Sequence, residues 1–181
     1  GPTKRVVLFD TLLERYGRDE IRVVVAHELA HVRGRDPVRT LAFLALVSPA
    51  AGLAIQRLSW LLHPDRGSSR ALPALALAAA VVAAPTGVAG SALSRAVERR
   101  ADAFSLELTG APDAFMSFQR SIALQNFADV SPPRWASLLL ATHPPTMDRI
   151  GAAVAYSGSG SPSEPPNSGR FLMPSRVSHL E

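Results

Sequence analysis

The chain has 181 residues, a formal net charge of +4 and no cysteine. That length allows one domain, or one domain with a tail, and the missing thiols exclude a disulfide framework and any cysteine-ligated metal. The positive charge is carried by arginine, with Lys4 the only lysine, and no basic stripe interleaved with aromatics points to nucleic acid.

The sequence starts at Gly1 rather than Met, so a fragment or a processed piece is expected, with no signal peptide at its start. Arg5-Val6-Val7-Leu8-Phe9 reads as a short strand, and a helix follows over about residues 10–16. Asp19-Glu20 then stands where acidic residues suit a helix N-terminus, ahead of the apolar run Ile21-Arg22-Val23-Val24-Val25-Ala26. Gly34 and Pro37 end this helix near residues 33–36. The spacing predicts three to four turns, mostly buried. Inside it lies His27-Glu28-Leu29-Ala30-His31. Two histidines four apart project from one helix face and can share a Zn²⁺, and the glutamate beside the first is placed to take a proton from a metal-bound water. The bland alternative is a helix whose two histidines are only packed or hydrogen-bonded.

Two apolar stretches come next. Residues 40–55 carry no charge, are flanked by Arg39 and Arg57, and are interrupted by Pro49 and Gly52. Residues 71–94 carry no charge over 24 positions, between Arg70 and Arg95. A spanning helix needs about 20 residues, so the second stretch qualifies and the first is borderline unless residues 56–62 are added. A membrane hairpin over about residues 38–94 is expected, against a soluble hairpin buried in the domain.

The second hydrophobic helix ends in Ser94-Arg95-Ala96-Val97-Glu98-Arg99-Arg100-Ala101-Asp102-Ala103-Phe104. Glu98 and Asp102 share a face. One reading makes Glu98 the third metal ligand and Asp102 its support, holding a histidine ring N–H or a neighbouring arginine. The other is a surface cluster with Arg95, Arg99 and Arg100. A two-segment return through a bilayer brings His31 and Glu98 to the same side, which favours the first. Further on, His143-Pro144-Pro145 reads as the start of a helix. Arg149 reads equally as an exposed helix residue or a partner of Asp148. Residues 157–168, SGSGSPSEPPNS, open a tail that cannot bury enough apolar surface to fold, with a small apolar island at Phe171-Leu172-Met173.

Three segments carry a family resemblance: HELAHVRGRD from His27, SRAVERRADAF from Ser94 and THPPTMDRI from Thr142. In this order they resemble the integral-membrane gluzincin proteases of the CAAX prenyl endopeptidase and HtpX type. The resemblance implies zinc ligands His27, His31 and Glu98, one Zn²⁺ per chain, and Glu28 as catalytic base. It places His143 and Arg149 near the substrate or the developing oxyanion. It also implies that the strand before the zinc helix pairs with an extended substrate. The family's further transmembrane helices and Asn-Ala-containing strand have no counterpart here.

The expected fold is mainly α, a membrane-associated helical metalloprotease core with a short N-terminal β element and a two-helix hydrophobic hairpin. Residues 1–156 form the protease domain and residues 157–181 a disordered tail. The expected activity is zinc-dependent endopeptidase action at or in the membrane, by glutamate-assisted attack of zinc-bound water. Peptides or membrane proteins are the substrates and the lipid bilayer a partner. The arginine distribution puts this multi-pass protein's site on the cytoplasmic side of the cell membrane. The alternatives are a non-catalytic zinc-binding membrane protein of structural or regulatory role, a soluble metalloprotease, and a soluble zinc-binding helical partner module.

Overall fold

The computed structural model describes residues 7–65 and 67–159. Among them the chain forms helices and no strand: α1 (Asp10–Arg15), α2 (Arg18–Gly34), α3 (Asp36–Leu62), α4 (Ala71–Thr109), α5 (Pro112–Gln125), α6 (Arg134–Leu139) and α7 (Thr146–Gly158). The mainly α class read from the sequence is therefore what forms. Of the strand expected at residues 5–9, residues 5 and 6 lie outside the described residues, and residues 7–9 lie in neither helix nor strand.

Local chemistry sets the bounds of α2. The Gly17 N–H donates to the Glu20 carboxylate at 2.8 Å, and Asp19 and Glu20 stand at the positive end of the helix. Its other end is set by Arg35, which adopts a left-handed conformation with φ 52, and by Pro37 in the first turn of α3. At 17 residues α2 is longer than the expected three to four turns. It buries only Val23, Ala26 and Ala30, so it is half-buried rather than mostly buried.

The hydrophobic hairpin is formed by α3 and α4, which pack along one another. Both are long and apolar enough to cross a bilayer. Few of their residues are fully buried by the rest of this chain, and Leu41, Leu46, Leu53, Leu72 and Leu77 are all exposed. A hairpin buried within the domain, the soluble alternative, is not how these residues pack. Pro49 and Pro85 lie inside the two helices. The apolar stretch of α4 continues without a break into the segment bearing Glu98 and Asp102, giving one helix of 39 residues.

A small core joins the ends of these helices. Val23 of α2, Leu106 of α4, Phe115 of α5 and Ala153 of α7 form one buried cluster. α4 can turn into α5 because Gly110 adopts a left-handed φ of 59, which costs glycine little, and Pro112 starts the next helix. Neither α5 nor α6 is foreseen in the sequence reading. α7 takes in Ser157 and Gly158, which composition assigns to the tail. The rest of that tail, with Phe171-Leu172-Met173, lies outside the described residues.

Candidate metal centre

On α2, one helical turn separates His27 and His31, and their Nε2 atoms lie 3.2 Å apart. α4 crosses beside them and brings in Glu98. One carboxylate oxygen is 3.5 Å from His27 Nε2 and the other 3.6 Å from His31 Nε2. Ligand atoms about 2.0–2.1 Å from a tetrahedral Zn²⁺ are about 3.4 Å apart, so these separations fit one ion. The donor chemistry fits as well. Asp102 lies 3.1 Å from His27 Nδ1, and Asp36 lies 3.0 Å from His31 Nδ1. An ionised carboxylate can only accept, so both Nδ1 atoms carry the hydrogen. The two Nε2 atoms are then left to face each other and a carboxylate. Three electron-rich groups converge there, and a proton or a metal ion between them relieves their repulsion.

The support around the ligands reaches across the fold. Arg149 of α7 grips Asp102 with both ends of its fork, Nε at 2.8 Å and Nη2 at 2.5 Å. The partner of Arg149 is therefore Asp102, 47 residues away, and not its neighbour Asp148. Asp102 holds a histidine and an arginine together, both of the roles that the sequence leaves open for it. On the other side, Arg100 pairs with Asp36, which holds His31. Sequence reasoning missed Asp36 and Arg100. A signal was present, since Asp36 follows His31 by five residues inside the motif segment, and metal-binding histidines usually hand their second N–H to a carboxylate. Gly34 belongs to the same construction: a Cβ there would stand 2.6 Å from Arg100 Nη2 and 2.8 Å from Asp36 Oδ1.

His143 comes to the same place from the turn before α7. Its Nδ1 is 3.3 Å from a Glu98 oxygen, and its side chain is 66% exposed. Glu28, on α2 between the two histidines, opens instead onto a cleft of about 710 Å³. Leu8, Phe9, Tyr16, Val25, Leu29 and Phe118 line much of that cleft. Ile122 and Asn126 of α5 line both this cleft and a second of about 380 Å³ walled by His143 and Arg149. The two clefts thus border on the same two residues, one with Glu28 and the other with His143 in its lining.

In the metal-free protein His27 is pushed up to about 9. Burial works against its charge, but hydrogen bonds to Asp102 and Glu98 and the field of Asp102 outweigh that and the opposing Arg149. Glu98 is held down at about 2 by its hydrogen bond with His27, against burial, and by the nearby charges of His27 and His143. Both groups stand outside the uncharged stretch of residues 71–94. Below about pH 9 the site thus holds a proton on His27 where zinc would bind. Zinc uptake is expected to release that proton, so affinity should rise about tenfold per pH unit up to about 9 and then level off. Glu98 is already ionised and adds no slope. Chelator competition across pH checks this, and a flat profile below pH 9 would contradict it.

Known proteins resemble this chain over most of its length. Residues 1–157 match peptidase family M48. The chain is 30% identical over 159 residues to the uncharacterized metalloprotease YhfN of Bacillus subtilis, covering 83% of this chain and 37% of that protein. It is 30% identical over 162 residues to the protease HtpX homolog of Ligilactobacillus salivarius, covering 77% of this chain and 55% of the relative. With the HtpX homolog of Pyrococcus abyssi it shares 30% over 172 residues, 83% of this chain and 59% of that one. The chain therefore spans between about a third and three fifths of the length of these relatives. The resemblance carried by the three motif segments is borne out.

Proposed function

The chain belongs to peptidase family M48, and on that premise we propose that it forms the core of a zinc-dependent metalloendopeptidase that cleaves peptide bonds at the membrane surface. One observation carries this reading: two histidine Nε2 atoms and the Glu98 carboxylate converge at ligand spacing, with Glu28 beside them on α2 facing an open cleft. His27, His31 and Glu98 would hold the zinc. Bound there, zinc supplies a Lewis acid that acidifies a water and polarises the scissile carbonyl. Glu28 accepts the proton of the attacking water and passes it to the leaving amine. His143, exposed beside Glu98, donates to the oxyanion side of the substrate. Arg149 acts as a positioning residue, because both ends of its fork are engaged by Asp102. Asp102 and Asp36 set the tautomer and tilt of the two imidazoles.

The same reading places the hairpin in the bilayer. Many of its large apolar side chains are exposed, and both ends of the metal site sit where uncharged helix gives way to charge. Arg33, Arg35, Arg39, Arg95, Arg99 and Arg100 flank that side, against Arg57, Arg66 and Arg70 on the connection, which favours a cytoplasmic site. Substrates are peptides or membrane proteins reaching the cleft from that face.

The test is hydrolysis of casein by the detergent-purified chain. Activity should disappear with a zinc chelator and return on adding zinc but not magnesium. Hydrolysis that persists in fully demetallated protein would sink the proposal.

A further inference from the structure

Away from the metal centre, α4, α6 and the start of α7 enclose a pocket of about 350 Å³ whose lining includes Arg95, Arg99, Arg134, Ser131, Ser137 and Asp148. Three guanidinium groups face one carboxylate, so the pocket is positive. Arg95 is buried and committed to the chain: it donates to the carbonyls of Ala141 at 2.6 Å and Leu138 at 3.2 Å. Arg99 and Arg134 are exposed and have no hydrogen bond or ion pair among the described residues. Such a pair, with the Ser131 hydroxyl, suits an oxyanion, while the Ser137 hydroxyl donates to the Pro133 carbonyl.

Two further observations say which kind of oxyanion. The first is depth. Arg95 is the first charged residue after the uncharged stretch of residues 71–94. Whatever Arg95 holds therefore lies where that stretch would meet water. The second is α6, which Arg95 anchors through Leu138. α6 buries none of its residues, and Trp135 is 63% exposed, Leu138 58% and Leu140, just past its end, 72%. A short helix with an exposed tryptophan and leucines beside arginines suits a bilayer interface and gains nothing from water. A free phosphate would use the arginines but leave Trp135 and the leucines unexplained.

We propose that this pocket binds the phosphate of an anionic phospholipid headgroup, with α6 lying in the bilayer interface beside it. The inference rests on the membrane reading of the hairpin and is independent of proteolysis. It also has a consequence for the site, because the segment that Arg95 ties down at Ala141 leads within two residues to His143.

The experiment uses the full chain carrying Trp60→Phe, which leaves Trp135 as the only tryptophan. The protein is reconstituted into phosphatidylcholine vesicles containing phosphatidylglycerol, with brominated acyl chains on one lipid or the other at equal bromine content. Trp135 fluorescence should be quenched in both and several-fold more when bromine is on phosphatidylglycerol. Adding Arg99→Gln and Arg134→Gln should remove that preference while keeping the quenching. Absence of quenching overturns the placement of α6. Equal quenching by the two lipids, or a preference that survives both substitutions, overturns the headgroup site. A preference abolished by inorganic phosphate assigns the pocket to a free anion and also overturns it. Release of the protein from vesicles by carbonate would sink the membrane reading itself, whereas retention with equal quenching sinks this inference alone.

Discussion

Replacing Glu28 with glutamine is expected to lower the rate of peptide hydrolysis by about 10²–10⁴-fold, the usual worth of a general base, while one zinc per chain remains bound. The expectation follows from geometry. Glu28 is not among the groups that converge on the metal position; His27, His31 and Glu98 are. Glu28 opens onto the cleft, where an attacking water and the leaving amine would both be in reach. Glutamine keeps the shape and hydrogen-bonding capacity of the side chain but cannot take up a proton. Metal analysis and peptide hydrolysis on the same preparation make the check. Wild-type turnover in this variant would refute the mechanism, and lost zinc would mean that Glu28 had been given the wrong job.

The second large effect is expected at Glu98. Glu98→Ala removes the carboxylate that lies against both imidazoles, leaving two protein ligands where a catalytic zinc takes three. Zinc content should fall to trace levels, and hydrolysis with it. Asp102→Asn offers the graded comparison. It leaves all three ligands in place but weakens the hold on His27 Nδ1 and on Arg149. Loss of such a supporting partner typically costs about 10–100-fold in metal affinity. Zinc competition titrations on both variants should therefore rank them far apart. If Glu98→Ala retained one tightly held zinc per chain, the ligand assignment would be wrong.

How much of this was legible in the sequence depended on how local each feature is. The histidines on α2 were readable because an i,i+4 pair is a property of one helix. The hairpin was readable because the absence of charge over a long stretch is visible without knowing any contact. The placement of Glu98 beside the histidines followed from the even number of apolar segments between them. Contacts spanning tens of residues were not legible. Arg149 stands next to Asp148 in sequence and reaches instead to Asp102 on another helix. Asp36 was in plain view inside the motif, but the left-handed turn at Arg35 that swings it under His31 was not. α6 escaped notice because six residues with Trp135 and two leucines look like a fragment of core until their exposure is known. The β character read for residues 5–9 is a local preference, whereas a strand needs a partner to pair with, and the described residues supply none.

That α4 is one helix has a mechanical consequence. At 1.5 Å per residue its 39 residues make a rod about 58 Å long, against a bilayer core about 30 Å thick. Bilayers of different thickness impose different tilts on a spanning helix. Glu98 stands roughly 23 Å along the axis from the middle of the uncharged stretch of residues 71–94, so a tilt change of about 5° about that point would sweep it by about 2 Å. A zinc site tolerates about 0.2 Å in its ligand distances. Unless the rod bends, the membrane reading proposed above makes bilayer thickness a lever on metal occupancy. Pro85 is where such bending is cheapest. On the membrane reading proposed above, membrane composition and the stiffness of α4 at that proline would act on the proposed zinc site through Glu98.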